Sequence, residues 1–269
     1  MMKNLFLFVF MLLSLFDSSF SQTPLFFGRE TPADFEKKLE NFAYVQIKYN
    51  GGNWDTNRAA WDSMYRQITA TTNIHPEKAR KSVDLDGREI FDYPFIFITG
   101  DLEFDPFSGK QIETLKRFFD GGGICFVDDS SGTLNSGFDS SIKREFKKVF
   151  PNSDFKPISK KHAIYYSFHM TPETAGTRKA SDYLDGIEYN NQTAVIYSHN
   201  DISGAFVTDR FGIALKKCVP GGESQRNEAK KLFINVLMYG LTGTYKLDAI
   251  HRNNILIKMK MKGDKESPE

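Results

Sequence analysis

The sequence predicts an α/β protein: a single domain of three layers around a mainly parallel sheet. Two short, almost unbroken apolar runs, Asp92 to Asp101 and Gly121 to Ser130, read as strands buried on both faces. Between them, Ser108 to Asp120 carries Ile112, Leu115, Phe118 and Phe119 at helical spacing, so the stretch is a β-α-β unit. Both apolar runs stop abruptly in polar residues. Ligands of open α/β sheets sit beyond the carboxyl ends of the strands, which makes Gly100-Asp101 and Asp128-Asp129-Ser130 the first places to look for function.

In chain order, Lys3, the apolar run Leu5 to Leu13 and the small residues Ser19 and Ser21 have the order of a secretory signal peptide over residues 1–21. The run is shorter than the ~20 residues of a spanning helix, and an uncleaved amino-terminal anchor is the alternative. Pro32 to Leu39 reads as a short helix capped by Thr31. Phe42 to Tyr49 is a strand that ends in the turn-rich Asn50-Gly51-Gly52-Asn53-Trp54.

Ala60, Trp61, Met64, Tyr65 and Ile68 stripe a helix over residues 57–70, and Ser82 to Leu85 is a short edge segment. Ser108 with Gln111 three residues on forms a capping box, and Gly121 to Gly123 stop the helix it opens. Ile142, Phe146, Val149 and Phe150 mark a further helix closed by Pro151. From Asp154 to Gly186 the pattern weakens into loops and short strands. Thr193 to Ser198 is a strand, and Ser224 to Leu241 a long final helix. The main domain spans residues 22–243, and residues 244–269 form an extension with a lysine-rich tail.

The 269 residues carry a formal net charge of +1 with 26% charged residues, a balance that asks for neither nucleic acid nor an anionic surface. With 25 Phe and 11 Tyr there is ample material for one large core, each buried aromatic removing roughly 150–250 Å² from water. Cys125 and Cys218 are too few for a disulfide scaffold. Cys125, inside a buried run, reads as a small hydrophobe, and spacing leaves its pairing with Cys218 open.

Four strand ends converge in this reading: Tyr49 to Trp54, Gly100-Asp101, Asp128 to Gly132 and Ser198 to Asp201. Crowded carboxylates raise one another's pKa and can divide acid from base roles, so Asp101, Asp128 and Asp129 form a candidate catalytic cluster, with Asp201, His162 and His199 as further catalytic candidates. Tyr49, Gly51, Gly52, Trp54, Gly100, Asp101, Ser130 and Ser198 are candidates for ligand binding. The competing role of such Asp and Ser residues is to cap a helix or hold a turn. His199-Asn200-Asp201 has the His-x-acid spacing that orients a general base, without an evident nucleophile to serve.

No metal site is expected, since neither histidine sits in a ligand motif such as H-E-x-x-H, and no cofactor is identified. Gly121 to Gly123 precede a strand and fail the geometry of a phosphate loop. Gly51-Gly52 follow a strand and come closer to an anion-binding turn, while lacking a Walker lysine. The nucleophile elbow G-x-S-x-G is missing after Phe126-Val127.

Taken together, Val45 to Trp54, Tyr93 to Gly100, Gly121 to Asp129, Phe150-Pro151, His162, Ile196 to Asp201 and Asn235 to Leu241 resemble the bacterial domain-of-unknown-function family DUF 4159 over about Phe26 to Thr242. The resemblance implies a flavodoxin-like fold similar to class I glutamine amidotransferases, in exported or membrane-linked proteins. Asp128, Asp129, His162, Ser198 and Asp201 match the family's pattern, whereas Gly100-Asp101 stands where the family has Gly-His. An amidotransferase needs Cys at the elbow, and Asp128-Asp129-Ser130 stands there instead.

The expectation is an exported, periplasmic or inner-membrane-associated domain that binds a small molecule or a protein partner of the cell envelope. It does not engage nucleic acid, and an uncleaved amino terminus would add membrane association. The rivals are a hydrolase of envelope carbohydrate or peptide using the strand-end Asp and His residues, and a scaffold docking through residues 154–186.

Overall fold

The computed structural model describes residues 42–242. The expected signal peptide, the helix at Pro32 to Leu39 and the carboxyl-terminal extension lie outside the described residues.

The strands are β1 (Val45–Lys48), β2 (Lys81–Asp84), β3 (Phe95–Gly100), β4 (Ile124–Asp129), β5 (Lys156–Pro157), β6 (Asp185–Tyr189) and β7 (Gln192–Ser198). The helices are α1 (Ala60–Thr71), α2 (Gly109–Asp120), α3 (Gly137–Val149) and α4 (Gly222–Thr242). One sheet runs in the order β2-β1-β3-β4-β7-β6-β5. Its first five strands are parallel, and β6 and β5 add an antiparallel margin.

The period of two along each strand builds the three layers. Phe95, Phe97, Ile124, Phe126 and Ile196 pack with Trp61, Met64 and Ile68 of α1 and with Leu232, Phe233, Val236 and Leu237 of α4. The alternating Ile96, Ile98, Cys125, Val127, Val195 and Tyr197 pack with Leu115, Phe118 and Phe119 of α2 and with Phe138, Ile142 and Phe146 of α3. Both faces of the central strands are therefore apolar, which is why those strands read as unbroken runs.

The capping box of α2 forms as expected, with Ser108 Oγ accepting from Gln111 N and Gln111 Oε1 accepting from Ser108 N. The strand β6 has no clear sequence signature, because Asp185 and Glu188 break its apolar pattern. A register shift at Ile187/Glu188 breaks it further.

The segment from Asp154 to Gly186 is built into the core. Ile164 and Tyr165 are fully buried, Tyr165 Oη accepts from Leu184 N, and Thr177 N and Arg178 N donate to Asp201 O and Asn200 O. Deleting it would open the core. Cys125 and Cys218 are both free and buried, and they belong to separate apolar clusters.

Candidate functional site at the carboxyl edge of the sheet

Strands β1, β3, β4 and β7 are adjacent and parallel, so the four predicted strand ends do share one edge. The registers Thr99↔Asp128↔Ser198 form one row across it, and Gly100↔Asp129 belong to the next. Consecutive residues of a strand face opposite sides, and this edge accordingly carries two polar groups separated by the sheet.

On the α1/α4 side, Asp128 is fully buried. Its Oδ1 accepts from Ile202 N (2.9 Å), and its Oδ2 accepts from Ser203 N (2.8 Å) and Ser203 Oγ (2.6 Å), so it holds the 3-10 turn Ser203–Phe206. Asp201, with φ +55°, is also buried. It accepts from Thr177 Oγ1 (2.5 Å), Asn57 Nδ2 (2.7 Å), Lys216 Nζ (3.0 Å) and Gly204 N (3.1 Å).

Asn57, held at φ +54°, ties the two carboxylates together: its amide also donates to Ser203 Oγ (2.9 Å) and Ser130 Oγ (3.2 Å). Thr56 Oγ1 bonds Ser130 Oγ (2.8 Å) and Thr99 Oγ1 (3.1 Å) and closes the network. Burial together with the Asp201 charge lifts the Asp128 carboxyl to about 6 against the pull of the Ser203 and Ile202 donors. Burial raises Asp201 as well, with Lys216 the main opposing influence.

On the α2/α3 side, Asp129 is taken up by structure. Its Oδ1 accepts from Ser131 N (2.9 Å) and its Oδ2 from Ser136 Oγ (2.6 Å), and Ser136 in turn caps α3 through Asp139 N. Beside it, His199 Nε2 lies 2.8 Å from Asp185 Oδ2, and its ring packs on Tyr197. The other ring nitrogen, Nδ1, is 3.9 Å from Asp139 Oδ1.

Among the described residues, only Asp101 Oδ1 and His199 Nδ1 are buried side-chain polar atoms without a hydrogen-bond partner. Both stand at this edge, one after β3 and one after β7. Ser198 Oγ accepts from Asn200 N and shapes the turn into Asp201.

Other candidates are placed differently. His162 is not brought to this edge: its Nδ1 accepts from Ile164 N and its Nε2 meets Thr193 Oγ1, at the amino end of β7. It lines a separate cavity of about 320 Å³ with Lys156 and Glu188. Tyr49 is a core residue whose Oη donates to Thr99 O (2.8 Å) and whose ring packs on Phe104.

Gly51 and Gly52 have φ of +71° and +55° and press against residues 102–105, and Gly51 bridges Phe104. An acidic loop thus faces the turn that resembled an anion cradle. Trp54 is half-buried, with its carbonyl accepting from Thr99 Oγ1 at 3.4 Å. A Cβ on Gly100 would stand 2.2 Å from Tyr49 Oη and 2.3 Å from Phe138, so that glycine serves packing.

Sequence reasoning missed Asn57, Thr56, Thr177, Ser203 and Lys216. Only Asn57 carried a signal, as an Asn in a turn before a helix. Among the described residues no cluster of three His, Cys, Asp or Glu side chains has the geometry to hold a metal ion.

The family described as Domain of unknown function (DUF4159) matches residues 41–241, most of the chain, and the chain belongs to it. No curated protein matches.

Proposed function

We propose that this DUF4159 domain is an exported, flavodoxin-like binding domain whose ligand is received at the carboxyl edge of the sheet, without amidotransferase chemistry. The observation that carries this reading is the pair of buried polar atoms without a hydrogen-bond partner, Asp101 Oδ1 and His199 Nδ1, at the same edge. Buried polar atoms are nearly always satisfied, and such exceptions call for a water, an ion or a ligand atom.

The strand order β2-β1-β3-β4-β7 supports the flavodoxin-like assignment, because it is the 2-1-3-4-5 order of that doubly wound class. At the elbow after β4 there is no thiol, and Ser130 Oγ is bonded to Thr56 and Asn57 rather than to a histidine. Thermal unfolding against a panel of sugars, cell-wall peptides, nucleotides and divalent metals tests the reading. A ligand at a hundredfold excess over its Kd stabilises the folded state by about 2.7 kcal/mol. That gain should shrink in Asp101→Ala and His199→Ala, and a panel with no shift would count against a small-molecule ligand.

A second reading, a hydrolase of envelope carbohydrate or peptide, is favoured by one observation: Asp128 and Asp201 are buried carboxyls close enough to couple, with Asp128 lifted to about 6. Turnover of such a substrate that disappears in Asp128→Asn, with the thermal midpoint retained, would establish it. An inactive wild type would remove it.

A further inference from the structure

After the 3-10 turn that Asp128 holds, residues 207–217 form a short hairpin with its sides reversed. The bridge Thr208↔Ala214 and the bonds Asp209 N to Ile213 O (2.9 Å) and Leu215 N to Val207 O (2.9 Å) join its arms. Asp209 Oδ1 accepts from Phe211 N (2.9 Å) and Ile213 N (2.8 Å), and Gly212 at φ +83° completes the turn. The base is fastened by Lys216, whose Nζ reaches Asp201 and whose carbonyl accepts from Arg226 at 2.6 Å.

Alternation in a strand normally sends apolar residues inward and polar residues outward. Here Lys216 reaches inward to Asp201 and Ala214 is half-buried, while Phe211, Ile213 and Leu215 stand 73%, 64% and 62% exposed. Singly exposed apolar residues are ordinary, but three large ones on one ordered finger mark a surface that meets something apolar.

The charges on the finger say what that is. Asp209 spends its carboxylate on the turn, and Lys216 is paired inward. Arg210, stacked on the Phe211 ring, and the exposed Lys217 are left on the outer side. We propose that this finger is a membrane-contact device, in which Phe211, Ile213 and Leu215 enter the interfacial layer of a bilayer whose anionic headgroups meet Arg210 and Lys217. A convex apolar tip flanked by cations needs no matching pocket in a fluid apolar layer, whereas a protein partner would have to supply one. The turn is already ordered, so little conformational freedom is lost on insertion.

The Phe211→Trp variant of the full chain reads the finger itself, independently of any other segment that touches lipid. Its emission is compared with the wild-type background of Trp54 and Trp61, after confirming an unchanged thermal midpoint. With vesicles of phosphatidylglycerol and phosphatidylethanolamine, the added indole should shift to shorter wavelength and be quenched by brominated acyl chains. With phosphatidylcholine alone the response should be weaker. Adding Arg210→Ala and Lys217→Ala should weaken the lipid-concentration dependence of the signal roughly thirtyfold, about fivefold for each charge removed. An indole that stays water-exposed with every vesicle overturns the proposal. So does a blue shift that grows with protein concentration in the absence of lipid, which would mean that the finger is covered by a second copy of the chain.

Discussion

Asp128 and Asp129 are consecutive in β4, and their carboxylates work on opposite faces of the sheet. Asp128 holds the turn that follows β7, while Asp129 holds the start of α3. The carboxyl partner of Asp128 is Asp201, joined to it through Ser203 and Asn57. Different consequences follow for each residue.

Asp129→Ala should lower stability by about 2–3 kcal/mol. It strands Ser131 N and releases Ser136, the cap of α3, and a lost cap alone costs about 1 kcal/mol. Denaturant unfolding checks this. A loss too small to measure would show that the Asp129 bonds are dispensable.

The raised Asp128 carboxyl sets the sign of a pH dependence. Its folded pKa, about 6, lies above the usual carboxylate value, so between roughly pH 4 and 6 the folded state retains a proton that the unfolded state has released. The contribution to stability is full below that window and is lost as pH rises through 6. Subtracting the Asp128→Asn curve from the wild-type curve reads this contribution together with that of Asp201, which titrates with it. A difference that is flat over the window, or rises through it, contradicts the assignment.

Asn57→Ala removes one amide that serves Asp201, Ser130 and Ser203, and places a Cβ-bearing residue without local hydrogen bonding at φ +54°. Leaving buried acceptors short of a donor costs about 1–3 kcal/mol each, so a total near 3 kcal/mol is expected in thermal or denaturant unfolding. Asn57→Gly should recover the backbone part alone.

Gly100→Ala should be among the most damaging small substitutions. The added methyl group meets Tyr49 Oη and the Phe138 ring, both inside the packed layer under α3. Overpacking of this kind costs about 1–3 kcal/mol or more, and solubility with the thermal midpoint reads it directly.

Neither thiol should react with a thiol reagent in the native state. Burial pushes both Cys125 and Cys218 above the ordinary thiol range. Both should be titrated on unfolding, without prior reduction, because neither is in a disulfide.

The layered fold was legible because it is written in local periods. The run Phe95 to Gly100, the stripe Ile112-Leu115-Phe118-Phe119 and the Ser108–Gln111 box each depend on neighbours within a few residues, and each appears as read. Strand β6 was not legible, since its pairing with β7 is tertiary and its own residues alternate poorly.

The shared edge was legible as well. Parallel strands that each end in polar residues must bring those ends to one edge, and Tyr49, Gly100, Asp128 and Ser198 lie there. Which of them act together was beyond the sequence. The pleat sends Asp128 and Asp129 apart, and the network of Asn57, Thr177, Ser203 and Lys216 joins residues up to 146 positions distant. His162 illustrates the same limit: nothing in its neighbours says that it sits at the amino end of β7. Local patterning determined the elements and the edge on which they end, because burial and backbone geometry act over a few residues. The partners of each carboxylate were decided only by tertiary packing, because a hydrogen bond depends on distance in space and not on separation along the chain.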